Sequence, residues 1–379
     1  MKLLRSALAV LGIAALGFAA NVNAQDTIKV GVVLPLSGGA GPQGKNVVQA
    51  IQSMAALINE DGGVLGKKIE ILARDDESTP AVGVSRATEL IGQGVSVVLE
   101  GYNSPVTLAM QPVLARAGML DITSISKADP ILSGEGNPLA IRLNSSNAQD
   151  GAVIAKYIAD NKARRVAFLT ENDAYGTGAQ ASVEAELGKL GHAYEKVAEE
   201  KFPFAQADFR VALTNIRAAN PDITVVFNAN EGLGMPATIR QARQSRLGGK
   251  LVAAVGIVAP SVIAVAGEAA NGLVGADIYF PHVEPFASNK ANLRFVAKTE
   301  EMFKYTPDKY MALGAASLQV WAMAANELKT LDRTALAKRI RGGSFKGTIL
   351  GDVSFEPNGQ LKTRHYIFTV NDGKIVVQP

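Results

Sequence analysis

The segment IKVGVVL, residues 28–34, is an almost unbroken run of apolar residues, three of them β-branched valines and one an isoleucine. Such a run is typical of a strand that is buried on both faces of a parallel sheet. A glycine-rich loop follows at residues 37–44. The next apolar residues then recur with helical spacing: Val47, Ile51, Met54, Ala55 and Ile58. The segment therefore predicts the first strand and helix of an α/β fold.

The same alternation of short apolar runs and helical patterns continues along the chain. Further strands are expected at residues 68–73, 95–99, 119–123, 165–169, 194–200, 223–227 and 251–258. Helical patterns separate most of them and the alternation restarts at Ala148, which predicts two successive parallel sheets. Beyond these sheets, helical patterns at 289–303, 310–328 and 334–341 precede strand-like pieces at 348–355 and 364–370. We expect this last part to complete two doubly wound α/β lobes.

The first 24 residues have the layout of a secretory signal peptide. Lys2 and Arg5 form a positive start, residues 7–20 are apolar or small, and residues 22–24 offer the small side chains of a cleavage site. The residue after the expected cut is Gln25 rather than Cys, so no lipid anchor is expected. We therefore expect an exported, periplasmic protein.

Composition narrows the class of protein further. Removal of the leader would leave 355 residues, more than one hydrophobic core usually holds, which favours two lobes. The chain has 38 basic and 35 acidic residues, and two of the basic ones lie in the leader, which leaves a net charge of +1. This balance gives no support to a nucleic-acid partner. Because the chain has no cysteine, packing alone must hold it together.

Ligands of doubly wound sheets bind outside the carboxyl ends of the strands. In this chain those ends are rich in Ser, Asn, Gly and Tyr, which form hydrogen bonds without strong acid or base character. The segments concerned are residues 34–37, 100–104, 123–127, 170–175 and 228–231. Two lobes that face each other across these segments would form a cleft that closes on a small molecule.

Residues 39–44 spell G-x-G-x-x-G between a strand and a helix, which raises the question of a dinucleotide cofactor. A genuine dinucleotide site has an acidic residue about 20 positions further on, at the end of the second strand. Here the acidic pair Asp75-Asp76 lies some 30 positions beyond Gly44. We therefore interpret the segment as a polar loop at the mouth of the cleft and expect no cofactor.

Three kinds of side chain at the strand ends allow both a structural and a functional interpretation. Ser104, which precedes Pro105, is either a helix cap or a donor to a ligand carboxylate at a helix N-terminus. Lys127 is either solvated or a cation for an acidic ligand. Tyr102 and Tyr175 would line the cleft or pack against neighbouring loops.

Catalytic signatures are not apparent. His192, His282 and His365 are widely separated, and no Glu/His cluster has the spacing of metal ligands. No serine lies in a G-x-S-x-G nucleophile motif. We therefore expect neither an enzyme nor a metal site.

The order of several segments resembles the leucine/isoleucine/valine-binding family of type I periplasmic binding proteins, the solute receptors of ABC importers. The segments are IKVGVVLPLSGGAGPQG (28–44), INEDGGVLGKKIEILARDDES (58–78), NSPVTLAMQPVLARAGML (103–120) and FLTENDAYGTG (168–178). The resemblance implies two lobes, residues 25–143 with 279–348 and residues 144–278 with 349–379. Three crossover strands would join them, near 142–145, 275–280 and 348–352.

The resemblance also implies where a solute binds. Ser104 matches the carboxylate-binding serine of the family, Gln43 lies where a cleft aromatic often stands, and Tyr175 matches a cleft tyrosine. The full set expected to bind the ligand is Ser37, Gln43, Tyr102, Asn103, Ser104, Ser126, Lys127, Ala128, Tyr175, Asn230 and Glu231.

Two departures from the family concern the α-ammonium group of an amino acid. Ala128 stands where amino-acid binders have a threonine, and residues 255–257 are Val-Gly-Ile where they have an acidic residue. A buried cation without acceptors is costly, which favours an organic or aromatic acid that has no amine. Glu231, as a remaining acceptor, keeps a branched-chain-type amino acid as an alternative.

The expected function is therefore that of a monomeric ABC-importer receptor, which binds a small, largely apolar carboxylate and docks on a membrane permease. A ligand sensor that presents its solute to a membrane receptor is the alternative, and an exported enzyme on a similar scaffold is a rival without a visible catalytic group.

Overall fold

The structure, a computed structural model, describes residues 27–133 and 136–378. The predicted signal peptide lies outside the described residues. Within them, no helix combines the length and apolarity that crossing a membrane requires.

The first sheet has five parallel strands in the order β2-β1-β3-β4-β5. Its strands are β1 (Ile28–Leu34), β2 (Ile69–Asp75), β3 (Val98–Glu100), β4 (Asp121–Thr123) and β5 (Ile141–Arg142). The helices between them are α1 (Gly41–Glu60), α2 (Pro80–Gly92) and α3 (Ser104–Arg116). The strand order reverses between β1 and β3, which is where a doubly wound sheet opens a crevice for ligands.

The second sheet repeats this order and extends it. Its seven strands run β7-β6-β8-β9-β10-β13-β14, and β13 and β14 are antiparallel to their neighbours. The strands are β6 (Arg165–Glu171), β7 (Glu195–Phe202), β8 (Ile223–Phe227), β9 (Lys250–Ala253), β10 (Val274–Asp277), β13 (Tyr366–Asn371) and β14 (Lys374–Val377). The helices are α4 (Asn147–Asp160), α5 (Ala174–Lys189), α6 (Arg210–Ala218), α7 (Gly234–Gln244) and α8 (Pro260–Ala266). The reversal point of this sheet lies between β6 and β8.

The C-terminal part returns to the first lobe before it completes the second sheet. Its elements are α9 (Lys290–Phe303), α10 (Lys309–Leu328), α11 (Arg333–Ile340), β11 (Ser344–Thr348) and β12 (Gly351–Ser354). Helix α10 is buried along most of its length and packs on α1, and its Trp321 is fully buried in the first core. The strands β11 and β12 form a separate hairpin.

The prediction of two doubly wound α/β lobes is thus confirmed, with three local differences. The apolar run 251–258 is a strand only as far as Ala253, because Val255 to Val258 form a buried loop. The single strand expected at 348–355 is the β11–β12 hairpin. Strand β14 was not predicted, since it has four residues next to a turn at Asp372 and Gly373.

The expected division of the chain between the lobes stays a prediction, but one packing detail leads us to modify it. Ile349, Val353, Phe355 and Leu361 belong to the core of the first lobe, although they lie beyond the expected boundary at residue 348. We propose that the third crossover is the segment 362–365, directly before β13.

The G-x-G-x-x-G segment has a structural role. A Cβ atom on Gly44 would lie 1.8 Å from the carbonyl oxygen of Pro35, so the first turn of α1 packs directly on the chain that leaves β1. Gly176 repeats this arrangement in the second lobe, where a Cβ would lie 2.1 Å from the carbonyl oxygen of Glu171. Both glycines permit a close approach of helix to strand end, which is one known role of the last glycine in this motif.

Gly44→Ala should therefore lower the free energy of unfolding by about 1–3 kcal/mol or more, because the backbone must shift to admit the methyl group. Gly92→Ala is the matched control, since a Cβ there meets nothing within 4 Å and the residue lies in a helix. Alanine should be neutral or stabilising by up to ~1 kcal/mol at that position. Urea denaturation of both variants measures the difference, and equal stability of the two would contradict this role of Gly44.

Candidate binding cleft

The carboxyl ends of the central strands of both sheets meet in one cleft. A cavity of about 20 Å³ lies there, large enough for one water molecule. Six of the eleven expected residues line it: Tyr102, Asn103, Ser104, Ser126, Lys127 and Tyr175. Six others complete the lining: Ile125, Glu171, Asp173, Ala229, Ile257 and Tyr310.

Ser104 is not a helix cap, so that structural interpretation of it is wrong. The N-cap of α3 is Asn103, and no side chain caps this helix. Instead, the buried Ser104 hydroxyl oxygen accepts the backbone N–H groups of Lys127 and Ala128, both at 3.2 Å. Two accepted bonds leave the hydroxyl hydrogen available for donation at the N-terminus of α3, where the helix dipole favours negative charge.

Lys127 already has an ionic partner. Its ammonium group lies 2.6 Å from Asp150 and donates to the carbonyl oxygen of Val255 at 2.7 Å, and the side chain is buried. Asp150 also bonds to His365 at 2.9 Å. Burial alone would raise the pKa of Asp150, but Lys127 and His365 outweigh it and hold that pKa at about 2. Lys127 therefore does not have the free charge that was expected for an acidic ligand.

The carbonyl oxygens next to Ser104 also have partners. The buried guanidinium of Arg142 donates to the carbonyl oxygens of both Lys127 and Ala128. The Lys127 carbonyl also accepts the backbone N–H of Asn147 at 2.9 Å. Since Ala128 has no polar side chain, these residues offer a ligand donors but hardly any acceptors.

Three buried tyrosines surround the cavity. Tyr102 and Tyr310 lie with ring centroids 5.9 Å apart and the planes inclined by 54°. The hydroxyl groups of Tyr102 and Tyr175 have no hydrogen-bond partner among the residues the structure describes. Burial raises the pKa of all three well above its usual range, so they are neutral hydrogen-bonding groups with large apolar faces.

Glu231 and Gln43 lie beside this cavity rather than in its lining. Loops 39–43 and 229–232 come close here, since a Cβ on Gly232 would lie 3.4 Å from the Gln43 amide. Glu231 is 2 % exposed, and neither of its carboxyl oxygens has a hydrogen bond of ordinary geometry within the described chain, although the Tyr310 hydroxyl lies near it. Burial, followed by the charge of Asp308, raises the pKa of Glu231 well above its usual range.

Three other expected residues, Ser37, Ala128 and Asn230, do not line the cavity. Ser37 is exposed beside Asp75 and lies outside the cavity lining. The Asn230 side chain donates to the Phe204 carbonyl and accepts from Leu233 N–H, so it organises its own loop. Ala128 is buried and contributes its N–H to Ser104.

Two acidic residues in the lining were missed. Glu171 accepts the backbone N–H of Ala229, and burial with the nearby Asp173 raises its pKa to about 9. Asp173 caps α5 through Gly176 N–H, and burial raises its pKa too. Both lie in the strand-end segment 170–175, which was singled out for its neutral side chains. A raised pKa favours the protonated form of a carboxyl, which can donate a hydrogen bond.

Tyr310 was missed because it lies at the start of α10, outside the alternation of strands and helices. The signal that could have found it is Asp308, which caps α10 through the N–H of Met311. Such a cap marks a helix start, but it does not reveal that this start faces the cleft.

The arrangement can bind but shows no means of catalysis. Hydroxyl groups, carboxyl groups and a helix N-terminus face a small enclosed space between two lobes. Among residues 27–133 and 136–378, no group of three or more metal-ligating side chains is close enough to hold a metal ion.

Comparisons with known proteins agree with this geometry. The family model described as periplasmic binding protein matches residues 27–374. A Leu/Ile/Val-binding protein homolog 1 of Brucella abortus is 26% identical over 342 residues, which are 90% of this chain and 89% of that protein.

Two solved structures share the fold. A solute-binding protein of an ABC transporter from Rhodopseudomonas palustris, in complex with 3,4-dihydroxybenzoic acid, is 27% identical with a TM-score of 0.81 and covers 92% of this chain and 95% of its own. The branched-chain amino acid binding protein LivJ from Streptococcus pneumoniae, in complex with isoleucine, is 24% identical with a TM-score of 0.81 and covers 93% and 100%.

The resemblance of the sequence segments is thereby confirmed, as are the two-lobed fold and the expectation that the protein is not an enzyme. The chain belongs to the periplasmic binding protein family and is a solute-binding protein of the type that serves ABC transporters.

Proposed function

We propose that this protein is the extracytoplasmic receptor of an ABC importer for a small, largely apolar carboxylate without an α-ammonium group, such as a hydroxybenzoate. The observation that carries the proposal is the hydrogen bonding of Ser104. Its oxygen accepts two backbone N–H groups, so its hydroxyl hydrogen is available for donation to a ligand at a helix N-terminus. A carboxylate suits this position.

The surroundings of Ser104 argue against an α-ammonium group. In an α-amino acid the ammonium is bonded to the carbon next to the carboxylate, so its acceptors must be close to Ser104. The carbonyl oxygens of Lys127 and Ala128, the two residues whose N–H groups bond to Ser104, already accept from Arg142. A buried ammonium without acceptors is strongly disfavoured.

The other end of the cavity suits an aromatic body with a hydroxyl group. Tyr102, Tyr175 and Tyr310 offer ring faces and edges, and offset or edge-on ring pairs contribute about 0.5–1.5 kcal/mol beyond burial. Glu171, Asp173 and Glu231 supply oxygen atoms to a ligand hydroxyl. The similarity to the Rhodopseudomonas palustris protein that binds 3,4-dihydroxybenzoic acid supports this class of solute.

A branched-chain amino acid is the second candidate. The Brucella relative named for leucine, isoleucine and valine supports it, and Glu231 would then accept the ammonium. Glu231 lies beside the lining rather than next to Ser104, which makes this candidate the weaker one.

Binding requires that the two lobes separate. A cavity of about 20 Å³ is far below the ~300 Å³ of typical ligand pockets, so a solute enters when the lobes rotate apart about the crossovers. We expect the membrane permease of the importer to recognise the closed, solute-bound form and not the open form.

A thermal-shift screen tests the class of solute. We expect benzoate and hydroxybenzoates to raise the melting temperature, because a solute that binds only the folded state stabilises it by RT ln(1 + [L]/Kd), about 2.7 kcal/mol at a hundredfold excess over Kd. Leucine, isoleucine and valine should have little effect. Strong stabilisation by these amino acids alone would reject the proposal in favour of the second candidate.

Ser104→Ala should weaken solute binding by about 1–3 kcal/mol, since it removes a hydrogen bond to a charged group. Ser53→Ala is the matched control, because Ser53 is equally buried but bonds to the Gln49 carbonyl within α1. Isothermal titration with the best solute of the screen measures both. The same affinity in the two variants would remove Ser104 from the site.

Glu231→Gln separates the two candidates. Glutamine resembles the protonated carboxyl, so an acid without an amine should bind within about threefold of the wild-type affinity. An amino acid requires the ionised carboxyl, and its affinity should fall by about 2–5 kcal/mol. Titration of 4-hydroxybenzoate and of isoleucine into this variant and into the exposed control Glu268→Gln gives the comparison. A large loss for an amino acid that binds the wild type would show that Glu231 holds its ammonium.

A further inference from the structure

A second, larger cavity lies next to the cleft, on the other side of Tyr310. Its volume is about 320 Å³, within the range of pockets that bind small molecules. Residues from four places line it: the loop after β9 (256–260), the end of β10 and the chain after it (277–283), the approach to and start of α10 (306–310), and Ile375 of β14. We call it the Lys309 chamber. Helix α10 belongs to the core of the first lobe, whereas Val258 and Ala259 belong to the core of the second. The chamber therefore has walls from both lobes.

Lys309 is the unusual group in this chamber. The side chain is 4 % exposed, and its ammonium has no hydrogen-bond partner among the described residues. It lies 3.8 Å from the centroid of the Tyr310 ring, which attracts a cation but accepts no ordinary hydrogen bond. A buried ammonium is normally paired, as Lys127 is with Asp150.

Two carboxyl groups, Asp277 and Asp308, line the chamber together with Lys309, and each accepts a backbone hydrogen bond. Asp277 accepts the N–H of Ile278 at 2.7 Å, and Asp308 caps α10. Neither forms an ion pair with Lys309 within 4.0 Å in the described chain. The other charged groups that act on Lys309 are Lys127, Glu231 and Asp150. Burial lowers the pKa of Lys309 to about 8, although Asp277 opposes this.

Gly256 makes the room for this ammonium. A Cβ at Gly256 would lie 1.9 Å from the nitrogen atom of Lys309, and the glycine has a φ of +77° that other residues rarely adopt. Residues 255–257 are the place where the amino-acid binders of the family have an acidic residue and this chain has none. The chain instead has a glycine there and a lysine that reaches in from α10, so the charge at this place is positive.

We propose that the Lys309 chamber is a second binding site, for a small and mostly apolar carboxylate, with Lys309 as its counter-ion. The apolar walls come from Val258, Phe280 and Val283, and the anion supplies the partner that the ammonium otherwise lacks. This site is separate from Ser104 and does not depend on the solute proposed for the cleft. An occupant would contact both lobes and would therefore couple to their closure.

Crystals of the chain from Gln25 onward, grown with 4-bromobenzoate, test the proposal. We expect anomalous bromine density in the Lys309 chamber of the wild type and of Ser104→Ala, and none there in Lys309→Met. Methionine keeps the length and apolar stem of lysine but removes the charge. Bromine in the cleft alone would overturn the second site, whereas bromine in the chamber alone would support it and contradict the carboxylate proposed for the cleft.

Titration calorimetry in solution provides the second measurement. Measured in the Ser104→Ala background, where binding in the cleft is weakened, Lys309→Met should lower the affinity for 4-bromobenzoate roughly ten- to a hundredfold, since a hydrogen bond to a charged group is lost. Lys309→Arg should retain part of the affinity, and the neutral 4-bromobenzamide should bind the wild type weakly. Equal binding of the acid and the amide, or unchanged affinity of a folded Lys309→Met, would show that the ammonium recognises no anion.

Discussion

The buried ion pair between Lys127 and Asp150 is the interaction on which the cleft depends. Lys127 belongs to the loop after β4 in the first lobe, and Asp150 lies in α4, which packs in the second. Removal of one partner of such a pair typically costs about 3–5 kcal/mol, because it leaves an uncompensated buried charge. The pair fixes the loop that contains Lys127. In this position the backbone N–H groups of Lys127 and Ala128 bond to the Ser104 hydroxyl oxygen. The position of the Ser104 hydroxyl, which we propose binds the solute, is therefore linked to a contact between the lobes.

The same loop supports the proposal that the solute has no α-ammonium group. Arg142 donates to the carbonyl oxygens of Lys127 and Ala128, so two acceptors that an ammonium group could use beside Ser104 are occupied. The oxygen atoms near the cleft that lack partners within the described chain belong to Asn103, which precedes Ser104, and to Tyr102, Tyr175, Glu171 and Glu231. Buried polar groups are nearly always hydrogen-bonded, so such a concentration indicates where a ligand supplies the missing partners. Donors at one end and hydroxyl or carboxyl groups at the other match an acid with a polar group remote from its carboxylate.

The sequence predicted the strand-end residues well because parallel strands place their carboxyl ends at one edge of a sheet. Ser104 and Tyr175 follow β3 and β6 closely, and both line the cavity. Ser37 also follows a strand but is exposed, since the loop after β1 turns outward beside Asp75. The pairing of Lys127 with Asp150 could not be predicted, because the two are 23 residues apart and meet across a crossover. Tyr310 and Lys309 were missed because their helix begins in the C-terminal part, whose position relative to the cleft is a matter of tertiary packing.

Gly256 and Lys309 show how the ligand chemistry of this fold can change while its architecture stays the same. A loop at the end of β9 can place an acidic side chain towards the space between the lobes. This chain has Gly256 at that place and so has no side chain there. The ammonium of Lys309 lies close to where a Cβ atom of residue 256 would be. The exchange reverses the sign of the local charge without altering a strand, because a lysine at the start of α10 is long enough to reach the loop. Similarity of fold therefore leaves the class of ligand open, and the charges that the two lobes bring to their common boundary decide it.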